Sequence, residues 1–141
     1  MESQTFKRTP LFQEHLDLGG RMVSFGGWDM PVQYFSILAE ARSVRTKAGI
    51  FDVSHMGRFS VTGPEARELL NWVHTASIDK EMPIGRARYG LLCDEAGGII
   101  DDAIVYRTNE DRFMLVANAG NAPTVWSWLE SWRDKRFGHL E

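Results

Sequence analysis

Three apolar runs of β type follow one another in the second half of the chain and set the strongest constraint on its fold. They cover residues 86–93, 98–106 and 112–118. The connections at 94–97 and 109–111 consist of acidic, amide, alanine and glycine residues, a composition typical of turns. The sequence therefore predicts an antiparallel β-meander.

Helical patterns lie before, between and after the predicted strands. The clearest follows Gly63 and Pro64, where apolar residues recur at the i, i+3, i+4 and i+7 spacing of an amphipathic helix. Cap and stop residues predict further helices, and alternation of polar and apolar residues predicts additional short strands. Helices combined with an antiparallel sheet indicate the α+β class. Thr9 is the predicted N-cap of a helix that begins at Pro10 and ends before Gly19, and Ser36 is the predicted cap of a helix that runs to Ala48. Residues 121–134 form the last predicted helix, the additional strands are 21–25, 50–53 and 58–62, and residues 26–31 are predicted as a loop.

Two adjacent carboxylates interrupt the middle run, where a buried strand normally carries Val, Ile or Phe. Asp is depleted in strands because its side chain competes for backbone hydrogen bonds and its charge resists burial. Since side chains alternate between faces, Asp102 shares its face with Ile104 and Tyr106, while Asp101 shares the other face with Val105. At least one carboxylate therefore points among apolar groups. Such a group either serves acid–base chemistry or ligand anchoring, or it ends the strand or binds backbone amides.

The composition indicates a water-soluble protein. With 141 residues, of which 43% are hydrophobic and 25% charged, the chain is expected to form one domain, residues 1–141, with a tail at 137–141. The formal net charge of -3 attracts neither nucleic acid nor anionic membrane, and no apolar run approaches the ~20 residues of a membrane span. No apolar signal core follows Met1, so we expect a cytoplasmic protein.

Metal and nucleotide sites are not predicted. The four histidines are scattered, and the single cysteine, Cys93, can form neither an internal disulfide nor a thiolate metal site. The glycine pairs lack the lysine of a P-loop and the spacing of a dinucleotide fingerprint. Met56, Tyr89 and Tyr106 each fit ordinary packing. However, if the meander pairs the runs around Tyr89 and Asp102, a ring and a carboxylate line one surface suited to a flat heteroaromatic ligand.

Five motifs, in their order and spacing, resemble the amino-terminal part of the T protein of the glycine cleavage system, an aminomethyltransferase family, across about residues 8–134. The resemblance implies an α+β fold in which helices pack on the antiparallel meander, equivalent to part of the family's folate-binding fold. Family members continue well beyond this chain. The motifs are Thr9-Pro10-Leu11 and the residues at 27–31, 49–57, 97–102 and 116–119.

The resemblance also implies a function. The family binds tetrahydrofolate, takes the aminomethyl group carried on the lipoyl arm of the H protein, releases ammonia and forms 5,10-methylenetetrahydrofolate. By motif alignment Asp102 matches the family's functional aspartate, which would orient the pterin-side amine or help to stabilise an iminium-like intermediate, through charge and position. Met56, Tyr89, Tyr106 and Asn118 fall where the family's amino-terminal folate contacts lie.

Two classes of function remain open at this point. The chain is either a folate-dependent aminomethyltransferase, or its amino-terminal part, or a non-catalytic folate-binding or assembly module derived from the same family. Its partners would be a lipoylated H protein and either a second chain that completes the fold or further copies of itself, because bare apolar surface drives association. Trp126 lies off the apolar stripe of its helix and is the candidate contact for such association, unless it merely decorates the surface.

Overall fold

A computed structural model describes residues 5–138, which form two units, one ending at His55 and the other beginning at Met56. Each unit has its own sheet and two helices. The predicted α+β class with antiparallel strand pairing is confirmed. The expectation of a single domain with a tail at 137–141 stays a prediction. Within that tail Phe137 is buried, and residues 139–141 lie outside the described residues.

The first unit is a three-stranded sheet with two helices: β1 (Lys7–Arg8), α1 (Phe12–Asp17), β2 (Arg21–Phe25), β3 (Trp28–Gln33) and α2 (Ile37–Thr46). β2 and β3 form an antiparallel hairpin, and β1 pairs in parallel with β3. The hairpin turns at Gly26 and Gly27, whose φ angles of 56° and 84° lie in the left-handed region that glycine adopts without strain. This turn fixes the register of the hairpin.

Two segments of the first unit differ from the prediction. Residues 28–31 were predicted as a loop but belong to β3, because Gly26 and Gly27 complete the turn by themselves. Residues 50–53 were predicted as a strand but form none. Within residues 5–138, their backbone pairs with no strand. The side chain of Asp52 in this segment forms hydrogen bonds instead.

The helices of the first unit start and end close to the predicted residues. Ser36 caps α2 as predicted, because its side chain accepts a hydrogen bond from the backbone N–H of Ala39. This helix ends at Thr46 instead of Ala48, and α1 begins at Phe12 instead of Pro10. The shifts of two residues lie within the usual fraying of helix ends.

A buried carboxylate organises the segment after α2. Asp52 Oδ2 lies 2.9 Å from Nε2 of His15, and the hydroxyl of Tyr34 lies 2.7 Å from the other ring nitrogen of His15. The backbone N–H of Ser54 donates to Asp52 Oδ1 at 2.8 Å. Both ring nitrogens of His15 are therefore bonded, one to the carboxylate and the other to the tyrosine hydroxyl. Burial raises the pKa of Asp52, but hydrogen bonds, led by that from His15, outweigh it and hold the pKa well below its usual range.

This network predicts a pH-dependent stability. A carboxylate with a lowered folded-state pKa stabilises the fold fully above its ordinary pKa near 4, and the stabilisation is lost as the pH falls towards the folded-state pKa. We therefore expect Asp52→Asn to lower the free energy of unfolding at pH 7 and to differ less from the unsubstituted protein at pH 3. Urea unfolding followed by circular dichroism measures the difference in free energy of unfolding between the two proteins at each pH. Equal differences at pH 7 and pH 3 would contradict the role given to Asp52.

The second unit contains a four-stranded antiparallel sheet and two helices: β4 (Gly57–Thr62), α3 (Ala66–Val73), β5 (Ala87–Cys93), β6 (Ile99–Asn109), β7 (Arg112–Ala117) and α4 (Ala122–Arg136). The strand order is β4-β7-β6-β5, and all three neighbouring pairs are antiparallel. The three predicted apolar runs are β5, β6 and β7, so the predicted meander is confirmed.

One face of this sheet carries the core of the second unit. The predicted stripe of α3, formed by Ala66, Leu69, Leu70 and Val73, is buried without exception. Helix α4 contributes further buried side chains, and the core-facing residues of the sheet complete the cluster. Both helices of this unit pack on this face, and the opposite face of the sheet is called the open face below. The core residues of the sheet are Val61, Leu92, Ala103, Val105, Phe113, Leu115 and Ala117.

The core predicts a contrast between two leucines. Leu70 is completely buried, and its truncation in Leu70→Ala removes methyl groups and leaves a cavity, which costs about 2–5 kcal/mol. Leu38 is 80% exposed, so Leu38→Ala is expected to change stability by no more than about 0.5 kcal/mol. Chemical denaturation of the two variants measures both values. Similar losses in the two variants would contradict the described core.

Two further sequence expectations concern the surface. Trp126 is 46% exposed, as its position off the apolar stripe predicts, and its ring stacks on Phe59 with centroids 5.9 Å apart. Its proposed role in association stays a prediction. Among residues 5–138, no helix is both long enough and apolar enough to cross a membrane.

Candidate functional site

The two adjacent aspartates of β6 lie on opposite faces of the sheet, as the strand alternation predicts. Asp101 is 4% exposed and lies on the core face, whereas Asp102 is exposed on the open face. Two chemically identical side chains thus occupy very different surroundings. Their hydrogen bonds show what each of them does.

Asp101 accepts a full set of hydrogen bonds. Its Oδ2 accepts the backbone N–H of Asn118 at 2.8 Å, and its Oδ1 accepts the side-chain amides of Asn118 at 2.9 Å and Asn121 at 3.0 Å. A buried carboxylate that accepts three N–H groups is compensated for the loss of water. Asp101 therefore joins β6 to the end of β7 and the start of α4, which is a structural role.

Asp102 is held by two donors on the open face. The hydroxyl of Tyr89 donates to Asp102 Oδ2 at 3.2 Å, and the side-chain amide of Asn118 donates to Asp102 Oδ1 at 2.9 Å. The negative charge of Asp102 disfavours ionisation of the phenol, so the pKa of Tyr89 is raised and its hydroxyl remains a proton donor. The carboxylate is thus oriented while it stays open to a ligand.

Asn118 connects the two carboxylates. One side-chain amide, which has two N–H groups, lies 2.9 Å from Asp101 Oδ1 and 2.9 Å from Asp102 Oδ1. The sequence interpretation placed Asn118 among ligand contacts but did not foresee this link. The link exists because Ala103 pairs with Ala117, which brings the next residues, Asp102 and Asn118, side by side.

The strand register also places Met56 and Leu91 near this pair. Gly57 pairs with Ala117, so Met56 precedes β4 at the level of Asn118. Leu91 of β5 pairs directly with Asp102. One row across the sheet therefore contains Met56, Asn118, Asp102 and Leu91. Tyr89 pairs with Ile104, which is the next residue after Asp102 on the open face of β6.

Tyr106 shares the open face with Asp102 but lies further away. It is four residues along the same strand, about 13 Å at ~3.3 Å per residue, with Ile104 between them. Tyr106 pairs with Met114 of β7 and Ala87 of β5. The fold therefore brings Tyr89, Asn118 and Asp102 together through hydrogen bonds, whereas Tyr106 occupies the far part of the same wall.

The open face combines apolar surface with a few fixed polar groups. Leu91, Ile104 and Val116 are half-buried on it, next to the polar cluster of Tyr89, Asp102 and Asn118. Apolar walls with a small number of convergent donors and acceptors are typical of sites for small organic ligands. A carboxylate at such a wall can accept hydrogen bonds from the amine or ring N–H of a heteroaromatic compound.

The described part of the chain contains no candidate metal site. Within residues 5–138, no three His, Cys, Asp or Glu side chains are arranged to hold a metal ion. Tyr89, Asp101, Asp102 and Asn118 form a hydrogen-bonded cluster.

Comparison with known proteins identifies the family. Residues 11–140 match the family model described as the GCVT N-terminal domain. The chain belongs to this family. The resemblance to the T protein of the glycine cleavage system, predicted from five motifs, is thereby confirmed.

Individual members of the family match at high identity. The aminomethyltransferase of Symbiobacterium thermophilum is 50% identical over 133 residues, which cover 94% of this chain and 35% of the relative. That of Herpetosiphon aurantiacus is 52% identical over 123 residues, which cover 87% and 34%. The crystal structure of glycine cleavage system aminomethyltransferase T from Bartonella henselae superposes with a TM-score of 0.85 at 39% identity, covering 97% of this chain and 37% of that one.

The matched region is the amino-terminal portion of this aminomethyltransferase family. The chain spans about a third of the length of the relatives that it matches.

One residue of the site was missed at the level of sequence. Asn121 was interpreted only as the start of the last helix, yet its side chain donates to the buried Asp101. The available signal was its spacing of three residues from Asn118 across a tight connection, where the backbone N–H of Asn121 bonds to the carbonyl of Asn118. Such a turn returns two amide side chains to the same neighbour.

The contrast between the two aspartates predicts opposite responses to the same substitution. Asp101→Asn replaces one accepting oxygen by an NH₂ group that faces N–H donors in the interior, which is expected to cost about 1–3 kcal/mol. Asp102→Asn, at an exposed position, is expected to change stability by no more than about 0.5 kcal/mol. Urea unfolding at pH 7 measures both. A larger loss in Asp102→Asn than in Asp101→Asn would contradict the described burial.

Proposed function

We propose that this chain is the amino-terminal part of a tetrahydrofolate-dependent aminomethyltransferase of the glycine cleavage system. It helps to transfer a one-carbon unit from the aminomethyl group on the lipoyl arm of the H protein to tetrahydrofolate, with release of ammonia. The observation that carries the proposal is the exposed Asp102, oriented by Tyr89 and Asn118 on an apolar sheet face. Family membership supports the reaction class.

The residues present suit a reduced pterin. Its flat ring system requires apolar contact, which Ile104 and Val116 offer on the open face. Its amine and N–H groups require acceptors, and Asp102 is an exposed carboxylate on that face. We propose Met56, Tyr89, Asp102, Tyr106 and Asn118 as the folate contacts of this portion, with Tyr106 reached by the part of the ligand furthest from Asp102.

Asp102 contributes charge and position. Tetrahydrofolate, when bound, supplies the nitrogen atoms that accept the one-carbon unit. Tyr89 and Asn118 fix the two carboxylate oxygens of Asp102 in advance, so little reorganisation is required when a ligand binds. A negative carboxylate beside the ligand amine fixes its orientation and stabilises positive charge there. We therefore propose Asp102 as the catalytic residue of this portion and Asp101 as its support from the core.

The proposed partners follow from the family reaction. A lipoylated H protein delivers the aminomethyl group, and a second polypeptide, or a further copy of this chain, supplies surface for the open face. We place the reaction in the cytoplasm, and we propose that it requires no metal. The net charge of -3 gives nucleic acid no electrostatic attraction to the chain.

A second candidate function has one observation in its favour. The chain spans about a third of the length of its relatives. A portion of this size with an open sheet face can act as a non-catalytic folate-binding or assembly module. This alternative shares the folate contacts and differs in turnover.

The proposal predicts that Asp102→Asn weakens folate binding. Loss of a charge-assisted hydrogen bond corresponds to about tenfold or more in the dissociation constant. Titration of the full chain with tetrahydrofolate, followed by tryptophan fluorescence, measures the change. Asp111→Asn, an exposed substitution in the turn before β7, is the matched control and is expected to leave the affinity unchanged.

Turnover separates the two candidate functions. The chain is combined with the remaining part of an aminomethyltransferase, lipoylated H protein and tetrahydrofolate, and ammonia release is measured. Turnover that is lost in Asp102→Asn supports the transferase, and folate binding without turnover supports the module. Absence of both in the folded chain overturns the proposed function.

A further inference from the structure

Three tryptophans form a cluster at the side of the second unit, away from the two aspartates in sequence and strand position. This tryptophan cluster consists of Trp72 near the end of α3 and of Trp128 and Trp132 on α4. The rings of Trp72 and Trp132 meet edge to face with centroids 5.3 Å apart, and those of Trp128 and Trp132 do so at 5.6 Å. The cluster therefore presents ring faces in several directions.

The cluster borders a cavity of about 290 Å³. The opposite wall comes from the end of β5 and the turn that follows it, with Cys93, Asp94 and Glu95. Trp72 is 49% exposed, so the cavity opens to solvent. Three tryptophans and two acidic residues thus line one small volume. Asp94 Oδ1 accepts the backbone N–H groups of Ala96 and Gly98 in the turn, so Glu95 is the carboxylate that the described hydrogen bonds leave available.

Two indole N–H groups of the cluster are buried without an acceptor in the described part of the chain, which hydrophobic packing alone does not explain. The Nε1 atoms of Trp128 and Trp132 are buried and donate to no acceptor within residues 5–138. A buried donor without an acceptor destabilises a fold by about 1–3 kcal/mol. Phe or Leu would fill the same positions without this cost. Tryptophan differs from Phe and Leu at these positions by its larger ring surface.

The residues that line the cavity include two acidic residues and no Lys or Arg. Arg136 and Lys135 contact rings of the cluster but are not among the lining residues. Arg136 lies 4.1 Å from the ring centroid of Trp72, and Lys135 lies 5.0 Å from that of Trp132, so these rings already attract cations. Helix α3 ends beside the cavity with Trp72 and Val73, and its terminal carbonyl groups add partial negative charge there.

We propose that this cavity binds an alkylated ammonium group. A quaternary or methylated ammonium is apolar at its surface and positively charged, so it gains from aromatic faces and from nearby carboxylates together. An anion would meet Asp94 and Glu95, and a neutral apolar group would gain nothing from them. The cavity is large enough for a trimethylammonium group and its first methylene groups. The same chemistry occurs in a free small cation and in a methylated lysine of a protein.

Binding of choline to the full chain tests the proposal. Tryptophan fluorescence is expected to show a saturable change with choline chloride. The uncharged isostere 3,3-dimethylbutan-1-ol has the same shape without the charge, and it is expected to bind at least roughly tenfold more weakly. A peptide with trimethyllysine forms a second arm, and tighter binding of the peptide than of choline identifies a protein-borne ligand.

Three variants make the test specific. Glu95→Gln removes one carboxylate charge without altering the ring cluster, and Trp72→Leu removes one ring. Each is expected to weaken choline binding roughly fivefold to thirtyfold. Trp126→Leu removes an exposed tryptophan of the same helix outside the cavity and is expected to leave the affinity unchanged. Circular dichroism confirms that each variant is folded.

The binding measurements can support or overturn the proposed ammonium site. Choline binding that Glu95→Gln and Trp72→Leu weaken, and that Trp126→Leu leaves intact, supports the site. Lack of a saturable response to both cationic probes overturns it. Equal binding of choline and its neutral isostere also overturns it, because the carboxylates would then contribute nothing.

Discussion

The candidate site depends on one amide that reaches two carboxylates across a sheet. Asn118 donates to Asp101 on the core side and to Asp102 on the open side. Asp101 is fixed by burial and by the additional bond from Asn121, so Asn118 is fixed as well. Asp102 thereby acquires a defined orientation while its face of the sheet remains accessible. The position of the exposed acid is therefore a consequence of the buried one.

Much of the second unit could be predicted from the sequence because its signals are local. The stripe of α3 and the three apolar runs with short turns are periodic patterns that require no knowledge of distant contacts. The first unit was harder to predict. Residues 50–53 look like a strand, yet Asp52 is bonded to His15, which lies 37 positions away in the sequence. Contacts between residues so far apart in the sequence produce no periodic pattern of polar and apolar residues.

The same distinction applies to the site. Alternation along β6 correctly separated Asp101 from Asp102 and placed Tyr106 on the face of Asp102. It could not show that Tyr89 bonds to Asp102 or that Asn118 joins the pair, because both contacts depend on the register between strands. The family motifs pointed to Tyr89, Asp102 and Asn118, and the register explains why these three residues lie together. Tyr106 shares the face but not the hydrogen bonds.

A structure of the chain with tetrahydrofolate is the most direct test of this account, obtained by crystallography or by intermolecular NMR contacts. We expect the pterin on the open face of the sheet, with its amine within hydrogen-bond distance of Asp102 and with Asn118 still bonded to both aspartates. A pterin bound elsewhere, or an Asn118 side chain turned away from Asp101, would contradict it.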